Sequence, residues 1–298
     1  MSTLRIVVLI LSIFFTTQLF ANNVNYNILS FSGAGSFGAV EIGILTKLSD
    51  TNSIVNEFDL YTGISAGGLN AGILSHFTFI REGLPYVKKI IIELNNHDIY
   101  RLVPKSNISL FNTFPLEYTL TKIIKSLNQS NIQTLIGTTN LNTGFLDTYY
   151  YNTQTFEDKI KLLMSTSAIP IVFPPIQWNG NLYVDGGELT NQLLAPITSN
   201  NFINVTYITA SEGLETTYNI STFEEIIKQN LKVVLATFDN SITKLNVNCG
   251  KNKPRGIIYM YFVNSSILTE YSSMNFNKGD ELFNIGYNNV ECKIFNLC

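Results

Sequence analysis

The fold is decided near the N-terminus, where residues 26–31 read Tyr-Asn-Ile-Leu-Ser-Phe and residues 33–38 read Gly-Ala-Gly-Ser-Phe-Gly. The first run is apolar and ends at a glycine-rich turn, which is typical of a buried strand. Residues 39–48 follow with apolar side chains at helical spacing, at Val40, Ile44, Leu45 and Leu48. The sequence therefore predicts a strand, a tight turn and a helix in succession, as at the start of an α/β domain.

A second strand–turn–helix unit carries the strongest motif of the chain. Residues 58–61 favour a short strand and lead into Gly63-Ile-Ser65-Ala-Gly67, after which small residues favour a helix. A serine hydroxyl becomes a useful nucleophile when a sharp turn raises it from the surface, and flanking glycines relieve the crowding in such a turn. We therefore predict that Ser65 is a catalytic nucleophile.

The glycine-rich turn at 33–38 also fits the dinucleotide pattern G-x-G-x-x-G, so a nucleotide site has to be considered. That interpretation requires an acidic residue about 20 positions further along, near Glu57 or Asp59. The same strand runs directly into the serine motif, for which a dinucleotide site has no use. A glycine-rich helix N-terminus can instead point backbone N–H groups at a developing oxyanion, and we favour this interpretation.

Ser65 needs a base, and the chain contains only two histidines, His76 and His97. His76 follows Ser65 on the same predicted helix at a distance of about 16 Å along the axis, and His97 lies in a polar turn. Asp185 directly precedes two glycines after the β-like run 182–184, which places an unobstructed carboxylate at a strand end. A carboxylate held against a serine can take its proton, so we predict that Asp185 is the base.

Strand and helix patterns alternate along the rest of the chain, with helix starts at Pro85, Thr155 and Thr222 and β-rich runs at 205–209 and 257–263. Both threonines have an acidic residue three positions later, which is typical of a capped helix start. The alternation predicts an α/β fold around a mainly parallel sheet. The polar segment 107–142 has no clear period, and we interpret it as a surface insertion or a lid.

Four blocks in this order resemble the patatin-like phospholipases. They are the loop 32–38, the serine motif 63–67, the run Ser-Ala-Ile-Pro-Ile-Val-Phe-Pro-Pro at 167–175, and Asp185-Gly-Gly. The resemblance extends from about residue 27 to about residue 191 and continues weakly to 282–287, which is similar to the family's closing helix. It implies a three-layer α/β/α fold and a Ser-Asp dyad that cleaves acyl esters of phospholipids or neutral lipids.

The resemblance also implies a role for each matching residue. Ser65 is expected to be the nucleophile and Asp185 the base. The oxyanion hole is expected to consist of the backbone amides of Gly33, Ala34, Gly35 and Ser36.

Three positions of the glycine-rich loop depart from the family pattern. Ser32 stands where the family usually has Asp, Ala34 replaces a glycine, and Phe37 replaces Arg or Lys. Backbone donors survive these changes, so the predicted oxyanion role stands. A contact made by the basic side chain is lost, which removes one reason to expect a preference for anionic head groups.

The composition excludes several classes of function. The chain has 298 residues, of which 45% are hydrophobic and 14% charged. Its net charge of −3 does not indicate a basic surface for binding a nucleic acid. Three cysteines and two separated histidines rule out a conventional zinc site, and we expect no cofactor or metal. Cys249, Cys292 and Cys298 allow one disulfide with one thiol left over, and the sequence does not choose the pair.

The N-terminus has the layout of a secretory signal peptide. Arg5 precedes the apolar run 6–15, which is broken only by Ser12, and a short polar stretch ends at Ala21. The run is shorter than the about 20 apolar residues that span a membrane. We therefore expect cleavage after Ala21, one mature domain at 22–298 and secretion, with an uncleaved membrane anchor as the alternative. Five N-glycosylation sequons agree weakly with export, at Asn107, Asn128, Asn204, Asn219 and Asn264.

Together these features predict a secreted acyl hydrolase that acts on lipid at a membrane or micelle surface and needs no nucleic-acid partner. The alternative, from another class, is a non-enzymatic lipid-binding or storage protein on the same fold. Intact Ser65 and Asp185 favour the enzyme. The sequence does not specify the lipid class, the acyl position or the oligomeric state.

Overall fold

A computed structural model describes residues 25–103, 108–193, 202–211 and 256–297. The predicted signal peptide (1–21), the helix start at Thr222 and two cysteines, Cys249 and Cys298, lie outside these residues. Cys292 lies in the last described strand and is exposed. The signal peptide and the disulfide therefore stay predictions.

The described residues form strands and helices in alternation. The strands are β1 (Tyr26–Phe31), β2 (Leu60–Ile64), β3 (Arg101–Leu102), β4 (Phe111–Asn112), β5 (Gln133–Asn140), β6 (Phe145–Tyr150), β7 (Ile176–Trp178), β8 (Asn181–Asp185), β9 (Ile203–Ser211), β10 (Gly256–Val263) and β11 (Glu291–Leu297). The α-helices are α1 (Gly38–Asp50), α2 (Ala66–Leu74), α3 (Ile80–Glu93), α4 (Asn96–Ile99), α5 (Phe114–Lys125), α6 (Phe156–Thr166) and α7 (Gly279–Asn288).

One nine-stranded sheet forms the centre of the fold, in the order β11-β10-β9-β1-β2-β5-β8-β7, with β6 paired to β5 outside this path. The strands from β10 to β5 run parallel, and antiparallel strands continue the sheet on both sides. Helices flank this sheet. The α/β class with a mainly parallel central sheet, predicted from the sequence, is confirmed.

Strand β5 has β6 along one edge and both β2 and β8 along the other. β2 is parallel to β5 and ends with Ile64 opposite Gly137, whereas β8 is antiparallel and ends with Asp185 opposite Thr138. Because Gly137 and Thr138 are consecutive, the C-terminal ends of β2 and β8 meet head to head. This register brings Ser65 and Asp185 together although 120 positions separate them in the chain.

Most of the predicted elements are confirmed. β1 coincides with the predicted strand 26–31, and α1 contains the predicted helix 39–48. Thr155 caps α6, because its side-chain oxygen accepts the Asp158 N–H at 3.2 Å. These elements were predictable because their apolar spacing and capping residues are local signals.

Two predictions are wrong. Helix α3 begins at Ile80 and not at Pro85, because the chain already turns at Phe79, whose carbonyl accepts the Glu82 N–H at 3.0 Å. The segment 107–142 is not an insertion or lid as a whole, since it contains α5 and the buried strand β5. Two of the buried hydroxyls of β5 have partners, because Thr138 donates to the Val184 carbonyl at 2.8 Å and Thr134 to the Ile132 carbonyl at 3.0 Å.

Apolar side chains cover both faces of the sheet. The larger cluster joins strand residues to the apolar faces of α1, α2, α3, α5, α6 and α7. The smaller cluster contains strand residues such as Ile28, Val205 and Ile258. Among the described residues, no helix combines the length and apolar character needed to cross a membrane.

Candidate active site

Ser65 occupies a strained turn between β2 and α2. Its backbone has φ +53° and ψ −127°, a conformation that costs free energy in a residue with a side chain. The glycines of the motif make this turn possible, because a Cβ on Gly63 would overlap the Gly67 carbonyl and a Cβ on Gly67 would overlap the Ser32 carbonyl. The turn therefore has the geometry of a nucleophile elbow.

Asp185 faces this elbow from the end of β8. The Ser65 hydroxyl donates to Asp185 Oδ2 at 2.6 Å, and the other carboxylate oxygen accepts the Gly187 N–H at 2.7 Å. The Asp185 N–H donates to the Ala168 carbonyl at 2.9 Å, which anchors the end of the strand. The two residues predicted as nucleophile and base are thus in direct hydrogen-bond contact.

The environment of Asp185 sets its protonation. Burial raises the pKa of this carboxyl to about 7, against the hydrogen bonds from Ser65 and Gly187, which favour the charged form, and a nearby Glu188 raises it further. Near neutral pH the carboxyl can therefore both accept a proton and release it.

The glycine-rich loop lies beside Ser65, and its amides do not all point to the site. The Gly33 N–H donates to the Asn191 carbonyl at 3.2 Å, and the Ser36 N–H donates to the Ser273 carbonyl at 2.7 Å. The amides of Ala34 and Gly35 have no acceptor among the described residues. Of the four amides predicted for an oxyanion hole, Gly33 and Ser36 are therefore already engaged, and only those of Ala34 and Gly35 are available.

A third amide completes this set. The N–H of Ala66, the first residue of α2, also has no acceptor among the described residues, because the first amides of a helix lack an intrahelical partner. Gly35 has φ +56°, and a Cβ there would overlap the Ser273 carbonyl, so this loop position requires glycine. The arrangement presents N–H donors from the loop and from the residue after Ser65, as an oxyanion hole requires.

Two positioning residues were not predicted from the sequence. Thr166, the last residue of α6, accepts the Ser65 N–H at 2.9 Å and donates to the Gly137 carbonyl at 2.6 Å, which ties the elbow to β5. Asn191 holds Gly33 from both sides, because its side-chain amide donates to the Gly33 carbonyl at 2.8 Å and its own carbonyl accepts the Gly33 N–H. Both lie next to motifs that the sequence does reveal, but nothing local distinguishes them.

A second buried carboxylate contacts Ser32, the first residue of the loop 32–38. Glu41 of α1 accepts the Ser32 hydroxyl at 2.7 Å, the Ser32 N–H at 3.0 Å and the Asn70 side-chain amide at 3.2 Å. Burial raises its pKa to about 8, and the hydrogen bonds from Ser32 and Asn70 act in the opposite direction. The available sequence signal was an acidic residue in the middle of an apolar helix.

Neither histidine contacts the Ser65–Asp185 pair. The His76 ring is hydrogen-bonded at Nδ1 to the Asn128 carbonyl and at Nε2 to the Tyr151 hydroxyl, the latter at 3.0 Å. Burial lowers the pKa of His76. His97 lies exposed on the short helix α4. The His76 ring is therefore part of the packed interior, and neither ring contacts Ser65.

The dinucleotide interpretation finds no support in the acidic residues near β2. Asp59 precedes β2 and accepts the Asn27 N–H at 2.8 Å, so it lies at the end of the strand away from the glycine-rich loop. Glu57 is exposed before the strand. A ribose-binding acid would be needed at the other end, where Ser65 lies.

A small cavity opens over the pair, lined by both side chains together with Ala34, Gly35, Ile169, Glu188 and Asn191. Among the described residues there is no group of three or more His, Cys, Asp or Glu side chains able to hold a metal ion. The polar side chains that line the cavity are the hydroxyls of Ser65 and Ser273, the carboxyls of Asp185 and Glu188 and the amide of Asn191.

A comparison with known families assigns the chain to one of them. The family model described as patatin-like phospholipase matches residues 29–207, more than half of the chain, and the chain belongs to this family of lipid acyl hydrolases. The uncharacterized protein R571 of Acanthamoeba polyphaga mimivirus is 24% identical over 302 residues, which cover 90% of this chain and 94% of that protein. The crystal structure of VipD from Legionella pneumophila is more distant, with a TM-score of 0.42 and 11% identity over 90% of this chain and 68% of VipD.

Proposed function

We propose that this protein is a secreted lipid acyl hydrolase that cleaves carboxylic esters of phospholipids or neutral lipids through an acyl-enzyme on Ser65, with Asp185 as base. The observation that carries the proposal is the 2.6 Å hydrogen bond from the Ser65 hydroxyl to a buried carboxylate on a strained elbow. A serine in this setting has a partner for its proton and lines a cavity in which an ester could be attacked.

The proposed reaction uses one carboxyl in both half-reactions. Asp185 Oδ2 takes the Ser65 proton while Oγ attacks the ester carbonyl, and the amides of Ala34, Gly35 and Ala66 stabilise the oxyanion. Collapse expels the alcohol, which takes the proton from Asp185. Asp185 then accepts a proton from water as the resulting hydroxide attacks the acyl-enzyme. The fatty acid leaves, and the proton returns to Ser65.

Covalent labelling tests the proposal. The purified mature chain should react with an alkyl fluorophosphonate at one site, and digestion followed by mass spectrometry should place the adduct on Ser65. Lipid hydrolysis should then be measured on vesicles of phosphatidylcholine and on emulsified triacylglycerol. Binding of lipid without labelling or turnover would instead support the alternative of a lipid-binding or storage protein.

Secretion is proposed from the N-terminal sequence and has its own test. Protein from the native source should begin near Asn22, because the apolar run has the length of a signal peptide. A chain that begins at Met1 and sediments with membranes would support the uncleaved anchor instead. Among the sequons that the structure describes, Asn128 and Asn264 are exposed and are the proposed glycosylation sites, whereas Asn204 lies inside the central strand β9. Asn107 and Asn219 lie outside the described residues.

A further inference from the structure

The described walls of the catalytic cavity carry acidic side chains and no basic ones. Two of the lining residues are ionisable, Asp185 and Glu188, and both are carboxylic acids. None of the described residues that line the cavity is Lys, Arg or His. A cleft whose charges have one sign concentrates the electric field inside it, because protein screens charge less than water does. An ester that enters this cavity therefore meets a negative potential when the two acids are ionised.

Glu188 supplies the negative charge that the catalytic dyad does not need. It ends the short helical turn Gly186–Glu188, which is closed by a 3.1 Å hydrogen bond from the Leu189 N–H to the Gly186 carbonyl. The side chain is exposed where it lines the cavity, and no described residue forms a salt bridge with it. Its charge reaches the reacting groups, since Glu188 contributes to the raised pKa of Asp185.

The other polar side chains of the site do not compensate the two carboxyls. Ser273 brings a neutral hydroxyl. Asn191 is buried and its Nδ2 donates to the Gly33 carbonyl at 2.8 Å, whereas its Oδ1 has no donor among the described residues. The glycine-rich loop 32–38 contains no Lys or Arg, and Phe37, which stands where the family usually has one, is buried. The described site thus offers side-chain acceptors and no side-chain cation.

This distribution of charge acts on the alcohol part of an ester. In the proposed reaction, negative charge develops on the carbonyl oxygen next to the ionised pair. An alcohol that carries a phosphate adds a further negative charge close to Asp185 and Glu188, which raises the free energy of the transition state. An alcohol with a free hydroxyl adds no charge and can donate to the acceptors. The difference between the two transition states sets the ratio of their kcat/KM values.

We propose that the catalytic cavity selects neutral acylglycerols over phospholipids with anionic head groups, with Glu188 as the specificity-determining residue. The inference rests on the proposed function and deepens it, because it chooses between the two lipid classes named there. A diacylglycerol and the phosphatidic acid with the same acyl chains form a matched pair of substrates, since they differ only by the phosphate.

The ratio of kcat/KM for these two lipids tests the proposal. Both should be presented at the same low mole fraction in micelles of an uncharged detergent, at about 10 mM salt, where the Debye length is about 30 Å. We expect the parent protein to prefer the diacylglycerol by roughly tenfold or more. Glu188→Gln should reduce this ratio about fivefold, and Glu188→Lys should reduce it further because the charge changes by two units.

A second carboxylate and a change of salt provide the controls. Glu57 is exposed before β2, at the end of that strand away from Ser65, so Glu57→Gln should keep the ratio of the parent protein. At about 1 M salt the Debye length falls to about 3 Å, and the preference of the parent should shrink. Glu188→Gln should respond less to salt, because it lacks the charge that salt screens.

An unchanged ratio in Glu188→Lys, in a variant with a normal unfolding temperature, would overturn the assignment, and so would an equal change in Glu57→Gln. Hydrolysis of both lipids at equal rates by the parent would refute the selection and leave the acyl-hydrolase proposal intact. If the parent hydrolyses neither lipid, the proposed function fails, and binding in the same micelles carries the test. The diacylglycerol should then bind about fivefold more tightly than phosphatidic acid, and Glu188→Lys should remove that difference; equal binding by the parent would refute the charge selection.

Discussion

Two serine–carboxylate pairs lie on either side of the glycine-rich loop. Ser65 donates to Asp185 at the end of β8 at 2.6 Å, and Ser32 donates to Glu41 on α1 at 2.7 Å. Both carboxyls are buried, and burial raises the pKa of each, to about 7 for Asp185 and about 8 for Glu41. The hydrogen bond and the protonation are therefore similar in the two regions.

The surroundings of the serines differ. Ser65 lies on a strained elbow and lines a cavity beside amides that have no acceptor among the described residues. Ser32 follows β1, and its hydroxyl oxygen also lies 3.1 Å from the Thr209 hydroxyl. Ser32 and Glu41 do not line that cavity. We therefore expect Ser65 and not Ser32 to act as a nucleophile, because nucleophilic catalysis also requires access for the ester and donors for the oxyanion.

The largest expected difference between the regions is the loss of the serine hydroxyl. Ser65→Ala should lower hydrolysis of p-nitrophenyl butyrate by about 10⁴-fold or more, as removal of a nucleophile does in serine hydrolases. Ser32→Ala should stay within about tenfold of the parent protein, because only loop positioning is affected. Initial rates and fluorophosphonate labelling of the two variants measure this contrast, and comparable losses would erase the distinction drawn between the regions.

Removal of the Asp185 carboxylate should have the next largest effect. Asp185→Asn should lose about 10⁴-fold in kcat, since an amide cannot accept the serine proton. A double variant, His76→Ala with His97→Ala, should keep most of the activity because neither ring contacts Ser65 or Asp185. Circular dichroism must accompany the rates, since His76 is hydrogen-bonded inside the fold. A folded histidine variant as inactive as Ser65→Ala would point to a triad and against Asp185 as the direct base.

The pH profile should sharpen the assignment of the base. Activity needs the ionised form of Asp185, whose pKa is raised to about 7, so the rate should fall about tenfold per pH unit below that value. It should be level above it. The profile of kcat/KM on a soluble ester measures this limb. Full activity at pH 5 would contradict a base with a raised pKa.

The smallest effect on catalysis is expected at Glu41. Glu41→Gln should lower kcat by no more than about tenfold, because Gln keeps an acceptor for Ser32. Its main effect should appear in stability. The folded protein holds a proton on Glu41 up to pH about 8, whereas the unfolded chain releases it near 4.5, so the free energy of unfolding of the parent falls as pH rises between these values. Glu41→Gln removes this loss.

Denaturant unfolding of Glu41→Gln and the parent at pH 5 and pH 9 checks the linkage. Between pH 5 and pH 9, the free energy of unfolding should fall by a few kcal/mol more in the parent than in the variant. A smaller decline in stability should remain in the variant, because burial raises the pKa of the Asp185 carboxyl as well. Parallel stability curves for the two proteins would show that Glu41 does not titrate differently in the folded state.

Local pattern was sufficient for much of this protein. Periodicity and glycine spacing predict the strand and helix around 26–50 and the turn at 63–67. Together with a family resemblance they single out Ser65 and Asp185, which the structure places in hydrogen-bond contact. Periodicity and glycine spacing depend on neighbours within one or two turns of the chain. The same local information misplaced the start of α3 and led to the wrong interpretation of 107–142 as a surface insertion or a lid.

Only the folded chain decides which groups meet. Ser65 and Asp185 come together because β2 and β8 end at consecutive residues of β5, a strand inside the segment that the sequence left unplaced. The tertiary structure also decides which of the four predicted amides remain available as oxyanion donors, since the carbonyls of Asn191 and Ser273 accept two of them. Strand register and hydrogen-bond partners across the sheet are set by packing between distant segments, and no local pattern of residues encodes them.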